Sequence, residues 1–534
     1  MATQNSLFNF KSGELKKIEQ DMQQAESFEQ WFELAQAHDR ETGAEVWRAR
    51  DESGLYDHAN IAIRLGRLKR LRKKGDDQGL LFALNEGIHG NMAGMGKSAL
   101  YQKAKCGTKL LIEEYINEIC ESLQQLSPKR LKSIPWAERI EFFQRASHCY
   151  GRSALMLSGG GTLGYFHFGV LKSLIEQQLC PVVISGASAG AFVASVVGTH
   201  TDAEYLALFE NNHLARELTT NNADIKIGIG MANKIDMRAI KREMARMIPD
   251  MTFLEAYEKT GRSINITISP AEPRQTSRLL NHIASPNVTL RSAVLASSAI
   301  PGIFPSVQLE ARDEHGKIKP YLPSRRWIDG SFSQDLPAKR LARMYGVNHF
   351  IVSQVLPGLG RDANMKPGIR KIVSDASVAA TKQAVRGWLD FVQHRAKVGP
   401  RLATAMEALN AVIDQQYKAD VNIVPGFGDT RLLDILKMLD EEEMVKLLHA
   451  GERATWPRLP AIGTTTRIGR TLDGILRDFE VDEAHWLRTA PQTDSASEGR
   501  LAAAKPRRDK ATVKARRIQR TPVTGKKIAV AKSA

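Results

Sequence analysis

Two short stretches decide how this chain folds. The first is Ser158-Gly159-Gly160-Gly161-Thr162-Leu163-Gly164-Tyr165-Phe166-His167-Phe168-Gly169-Val170. The second follows the apolar run Val182-Val183-Ile184 and reads Gly186-Ala187-Ser188-Ala189-Gly190. Ala154-Leu155-Met156-Leu157 ahead of the first stretch predicts a strand running into a glycine-rich turn and then a helix. Glycines there allow a sharp turn and present backbone N–H groups with no side chain in the way, next to the positive end of a helix. The second stretch is G-x-S-x-G between a predicted strand and the apolar helix from Ala191. This is the layout that leaves a serine hydroxyl exposed above a sheet. A glycine-rich turn can also hold a phosphate, but no acidic residue follows a second strand where a ribose partner would sit. Ser188 is therefore read as a nucleophile, with an oxyanion hole formed by the loop of Gly159, Gly160 and Gly161. Gly186 and Gly190 are read as relief for the tight turn.

A serine nucleophile needs a proton acceptor within hydrogen-bond reach. Trp327-Ile328-Asp329-Gly330 predicts a short strand ending on a carboxylate that projects from a tight turn. The competing order is Ser…Asp…His, with His349, His394, His449 and His485 downstream. His349 is expected just ahead of a strand, and His449 and His485 in helical stretches, so none falls in a catalytic loop. Asp329 is the preferred base, on the condition that burial lifts it from the ordinary carboxylate range of about 4.

Around this core, the 534 residues suggest two to four domains. Helical periodicity dominates up to about residue 145. Ser27 is placed to cap a helix carrying Phe28, Trp31, Phe32 and Ala35. Ile61, Leu65, Leu68 and Arg72 line one face of another helix, which also carries Arg64, Arg67, Lys69, Arg70, Lys73 and Lys74. That helix could lie on an anionic lipid surface; packing on its own domain with a solvated basic side is the stronger reading. Gly94-Met95-Gly96-Lys97-Ser98 imitates a phosphate loop, but position 91 is Asn and no strand precedes it. Amphipathic spacing predicts a helix over 108–126 and another over 289–298. Met231, Met237, Met244, Met247 and Met251 could adapt to an acyl chain, although core packing is the commoner use of helical Met.

The net charge of +16 is unevenly placed, because residues 491–534 hold twelve Lys/Arg against three Asp/Glu. That tail is expected to be disordered, and it has no aromatic residue on which a nucleic acid base could stack. The four cysteines have no C-x-x-C spacing and are expected to be reduced thiols in a cytoplasmic chain. No secretory leader is evident, and no run of ~18 apolar residues predicts a membrane span.

Taken together, Gly-Gly-Gly-Thr-Leu-Gly, Gly-Ala-Ser-Ala-Gly and Asp-Gly, in that order, resemble the patatin-like phospholipases. The likeness extends over roughly 150–430 and includes Ser298-Ala299-Ile300-Pro301-Gly302-Ile303-Phe304-Pro305 and Gln415-Gln416-Tyr417-Lys418-Ala419-Asp420. Trp31, Leu55-Tyr56-Asp57 and Gly107-Thr108-Lys109-Leu110-Leu111-Ile112-Glu113-Glu114-Tyr115 resemble the helical domain (DUF3336-type) that precedes the core in fungal and plant triacylglycerol lipases. The resemblance implies an α/β fold: a three-layer α/β/α core with a mostly parallel sheet. It further implies a Ser188–Asp329 dyad, a glycerolipid substrate met at a lipid surface, and no metal or organic cofactor. Ser331 after Asp329-Gly330 and Thr162 after the glycines depart from the commoner pattern. The expected organisation is a helical domain over 1–145, a catalytic domain over 146–480 with a helical C-terminal part, and the tail. Phospholipase A or lysophospholipase action is the alternative within the chemistry. A non-enzymatic lipid or nucleic acid binder using the tail is the alternative outside it.

Overall fold

The computed structural model describes residues 2–88, 91–128, 131–219, 237–272, 275–300, 304–330, 336–355, 419–426 and 439–489. Residues up to Phe479 form one compact unit, and Glu480 onward forms a second. His394, Met231, Ser331, residues 301–303 and 415–418, and the tail lie outside the described residues.

The N-terminal part is helical: α1 (Ala2–Gln24), α2 (Phe28–Thr42), α3 (Ala44–Ala49), α4 (His58–Lys74), α5 (Asp77–Gly87), α6 (Leu110–Leu126) and α7 (Trp136–Tyr150). Ser27 caps α2 by accepting from the Gln30 N–H, and Gly43 ends it in the left-handed conformation. Asp57 and Gly75 bracket α4 in the same way. Ile61, Leu65 and Leu68 of α4 are buried against α5 and α6. Much of its positive charge is matched by acids on those neighbours. Arg67 meets Glu86 at 2.7 Å, Lys69 meets Glu114, and Arg72 meets Glu118 at 2.6 Å and Glu121 at 2.7 Å. The basic helix is thus a packed element of its own domain. Gly94 to Ser98 joins two short 3₁₀ turns, with no strand before them, in line with the rejected phosphate loop.

The sheet that follows has the order β4-β3-β2-β1-β8-β9. Its strands are β1 (Arg152–Leu157), β2 (Val183–Gly186), β3 (Ser263–Pro270), β4 (Arg278–Leu280), β8 (Val347–Ser353) and β9 (Val421–Ile423). A separate hairpin joins β5 (Leu309–Arg312) to β6 (Ile318–Tyr321), and β7 (Trp327–Asp329) adds to β3. β1, β2, β3, β8 and β9 are mutually parallel, while β4 and β7 run antiparallel to β3. All eight residues of β3 are buried, as expected of a strand covered on both faces. Helices α8 (Phe166–Glu176) and α9 (Ala189–Thr199) come next. α10 (Asp202–Ala207), α11 (His213–Thr219), α12 (Met237–Met247) and α13 (Phe253–Thr260) then precede α14 (Leu290–Ser297). α8, α9 and α14 share a core with the face of the sheet that carries Leu155, Ile184, Ile266 and Ile351. The other face, with Ala154, Met156, Val183 and Val352, packs with Leu341 of α15 (Ala338–Tyr345). The three-layer α/β/α expectation holds.

Met244 and Met247 are buried in the first of these cores, with Met251 packed against it, so these methionines are ordinary core. Two late helices follow, α16 (Glu441–Thr455) and α17 (Leu459–Thr489). Gly169 of α8 and Gly451 of α16 face each other at a backbone-to-backbone crossing. A Cβ at Gly169 would stand 1.9 Å from the Leu448 carbonyl oxygen, and one at Gly451 2.2 Å from that of Phe166. Beside the crossing, Lys172 of α8 is ion-paired with buried Glu452, which also meets His449 Nδ1 at 2.7 Å. α17 supplies Ile468, Leu472 and Phe479 to the helical core, where Phe479 packs on Trp136 with ring centroids 4.5 Å apart.

Candidate active site

The site stands at the C-terminal ends of the parallel strands, where ligands bind in open α/β sheets. β2 ends at Gly186 and α9 begins at Ala189, leaving Ser188 on the turn between them at φ 52°, ψ −119°. A non-glycine residue held there is strained, the signature of a nucleophile elbow. The flanking glycines are required by close approach. A Cβ at Gly186 would fall 2.2 Å from the Gly190 oxygen, and one at Gly190 2.3 Å from the Leu157 oxygen. The Ser188 N–H donates to Ser297 Oγ at 3.0 Å, and that hydroxyl donates to the Thr267 carbonyl at 2.8 Å. Ser297, at the end of α14, thereby ties the elbow to β3. Sequence reading missed this role because nothing local distinguishes Ser297 from its neighbour Ser298.

Register places Asp329 beside this elbow. On β3, Gly186 stands opposite Ile266, and Asp329 opposite Ile268. β4 pairs with both Ile266 and Ile268 along the other edge, so β2 and β7 share one edge. Asp329 thus occupies the place that β2 vacates, two residues beyond Gly186 and about 7 Å along the strand at 3.3 Å per residue. Directly paired residues project to the same face. Ile268 and Trp327 belong to the core shared with α9 and α14, so the Asp329 carboxylate lies on the face from which α9 departs. Ser188 is 8% exposed and Asp329 2%. The Asp329 N–H donates to the Ala299 carbonyl at 3.0 Å. A Cβ at Gly330 would stand 2.2 Å from the Thr267 oxygen, the same carbonyl that Ser297 holds.

The glycine loop completes the group. Gly159 and Gly160 follow β1, Gly161–Tyr165 is one 3₁₀ turn, and α8 follows directly. Gly161 has φ +55°, and a Cβ at Gly164 would stand 2.3 Å from that of Ala189, so the loop lies against the elbow.

Of the alternative bases, His349 and His449 do not join them. His349 lies within β8 instead of ahead of it, a correction of the sequence expectation. It pairs with Ser153 near the start of β1, about 13 Å down the sheet from Leu157, with Nδ1 3.1 Å from Ser153 Oγ. His449 is engaged by Glu452. His485 falls in the part of α17 assigned to the second unit. One histidine that sequence reading passed over does lie here. His167 is fully buried, with Nε2 3.0 Å from the Ser158 carbonyl oxygen and Nδ1 2.7 Å from Ser353 Oγ. Both ring nitrogens are occupied away from Ser188, so it is not the base.

Burial pushes His167 down to about 4. An unfolded histidine titrates near 6.5, so between pH about 6.5 and 4 the unfolded chain binds a proton that the native one refuses. Stability therefore falls as pH falls through that window, by about 3 kcal/mol in all. The unfolding midpoint of the native protein and of His167→Gln, followed from pH 7 to 4.5, should converge as pH drops.

Comparison with known proteins agrees with this geometry. Residues 8–148 match the family model described as a domain of unknown function (DUF3336), and residues 155–342 match the patatin-like phospholipase model. Triacylglycerol lipase 4 of Saccharomyces cerevisiae is 34% identical, covering 84% of this chain and 51% of the yeast protein. Triacylglycerol lipase SDP1L of Arabidopsis thaliana is 31% identical, covering 85% and 57%. A patatin-like phospholipase domain-containing protein of Aspergillus clavatus is 29% identical, covering 86% and 68%. The chain spans about half the length of the first two of these curated relatives. With a strained elbow, a glycine loop and both family matches in one order along the sequence, the chain carries a DUF3336 domain followed by a patatin-like phospholipase domain.

Proposed function

We propose that this protein is a serine lipid hydrolase that releases fatty acids from glycerolipids, triacylglycerol first among them. The observation that carries the reading is the register of β2 and β7 on one edge of β3, which sets Asp329 beside the strained Ser188. In the reaction, Asp329 takes the Ser188 proton while Oγ attacks the ester carbonyl carbon. Backbone N–H groups of Gly159, Gly160, Gly161 and Gly164 hold the resulting oxyanion. Collapse breaks the ester C–O bond, and the leaving alkoxide takes the proton from Asp329. Water then attacks the acyl-enzyme, giving its proton to Asp329; the fatty acid departs and Ser188 regains its hydrogen. The names of the yeast and plant relatives support triacylglycerol as substrate. Lipid contact would come from one side, since among the described residues no helix is long and apolar enough to cross a membrane.

A fluorophosphonate probe should attach to Ser188 in the folded protein and leave Ser188→Ala unlabelled. The unlabelled native protein should release oleate from triolein emulsions, and labelling should abolish that release. Release from phosphatidylcholine vesicles alone would move the substrate to phospholipid, and no adduct on Ser188 would end the hydrolase reading.

A further inference from the structure

The glycine loop has a mechanical problem that its own residues do not solve. Between the end of β1 at Leu157 and the start of α8 at Phe166 it has few side chains with which to hold a shape. Yet an oxyanion hole works only if its donors are already in place when charge develops. The structure supplies a tie across the base of this loop. The Ser158 N–H donates to the Ser353 carbonyl of β8 at 3.0 Å, fixing the loop entrance to the sheet. From the first turn of α8, His167 reaches back to the Ser158 carbonyl, bonding the residue after the loop to the residue before it.

The protonation of the ring follows from its partners. A carbonyl oxygen only accepts, so Nε2 carries the hydrogen and Nδ1 is the acceptor, filled by the Ser353 hydroxyl at 2.7 Å. Ser353 therefore serves the loop twice, through its carbonyl to Ser158 N–H and through its hydroxyl to His167. An aliphatic side chain would fill this fully buried position without the cost of desolvating an imidazole. The two hydrogen bonds are what the histidine adds.

We propose that His167 is the positioning residue of the oxyanion loop, clasping Ser158 to the first turn of α8, and that Ser353 fixes the tautomer that lets it do so. The proposal rests on the hydrolase reading above. The clasp touches neither substrate nor Ser188; its effect is the placement of the backbone N–H groups of Gly159 to Gly164.

The test compares His167→Gln, His167→Leu and Ser353→Ala with the native protein, using a p-nitrophenyl acyl ester and a trifluoromethyl ketone that forms an oxyanionic hemiketal on Ser188. Misplacement by about 1 Å costs on the order of 10²-fold in rate. His167→Leu should lose about that much kcat with KM within about threefold. His167→Gln, which keeps an amide donor towards Ser158, should recover at least tenfold of the loss, and Ser353→Ala should fall between. Ketone affinity should decline in proportion to kcat/KM across the set. Variants that lower the unfolding midpoint while kcat and ketone affinity stay native would overturn the clasp. So would a kcat loss with unchanged ketone affinity. If His167→Leu does not fold, Ser353→Ala and His167→Gln carry the same comparison. Failure of the hydrolase reading is distinguishable, because it shows as absent labelling of Ser188 in the native protein.

Discussion

Ser188→Ala and Asp329→Asn are each expected to lose roughly 10⁴-fold or more in kcat for ester hydrolysis, equivalent to about 5 kcal/mol of transition-state stabilisation. The alanine removes the attacking oxygen. The asparagine keeps size and burial but cannot accept a proton. Because the two groups act as one unit, the double variant should be no slower than the worse single one, since residues of one catalytic device are strongly non-additive. Additive losses would mean that Asp329 serves some role apart from the nucleophile. His349→Gln and His449→Gln test two of the candidate histidines: both should keep kcat within about threefold. A loss of 10³-fold in either would transfer the base to histidine. Unfolding midpoints of all five variants should accompany the rates, so that loss of chemistry is separated from loss of fold.

The second large effect is structural. Gly169→Ala or Gly451→Ala places a methyl group within 1.9 or 2.2 Å of a backbone carbonyl oxygen across the α8–α16 crossing. Backbone cannot rotate aside as a side chain can, so the helices must separate. The buried Lys172–Glu452 pair and the Tyr205 hydroxyl, which donates to the Phe168 carbonyl at 3.1 Å, are disturbed with them. A loss of about 3 kcal/mol or more is expected, at the top of the overpacking range. Gly474→Ala in α17 supplies the contrast. A Cβ there meets nothing within 4 Å, so better helix propensity should raise stability by up to about 1 kcal/mol. Thermal unfolding of the three variants should therefore move in opposite directions, and equal shifts would contradict the crossing. α16 begins at Glu441, well beyond residue 342 where the patatin match ends. A chain cut between β9 and α16 should accordingly expose the outer face of α8 and aggregate.

What could be read from the sequence was what neighbouring residues encode. Ser27 announces the start of α2 because a cap acts on the adjoining turn. The spacing of Ile61, Leu65 and Leu68 announces a buried face. The glycines around Ser188 announce an elbow because they solve a crowding problem within five residues. Asp329 was reachable because strand, acid and glycine occur together. The remainder depends on pairs far apart in the chain. Nothing near Ser297 says that its hydroxyl will meet Ser188 N–H, and nothing near Gly169 foretells Gly451. His167 reads as an ordinary helical histidine until Ser353 arrives from β8. The acids that pair with Arg67, Lys69 and Arg72 of α4 lie on α5 and α6, so its own residues do not show those partners.

The antiparallel placement of β7 has an evolutionary consequence. Asp329 is 141 residues from Ser188 in the chain, yet its position is referred to β3 by three paired residues, to Ala299 by a backbone bond, and through Trp327 to Val307. The hairpin of β5 and β6 beyond Val307 can therefore lengthen, shorten or change composition without moving the carboxylate, provided that the pairings Ile268–Asp329 and Val307–Trp327 are kept. A slip of one residue would turn the acid to the opposite face of the sheet. Selection can thus remodel the β5–β6 hairpin for new substrates while purging any change in that register, so diversity should concentrate there in length rather than in the three residues of β7.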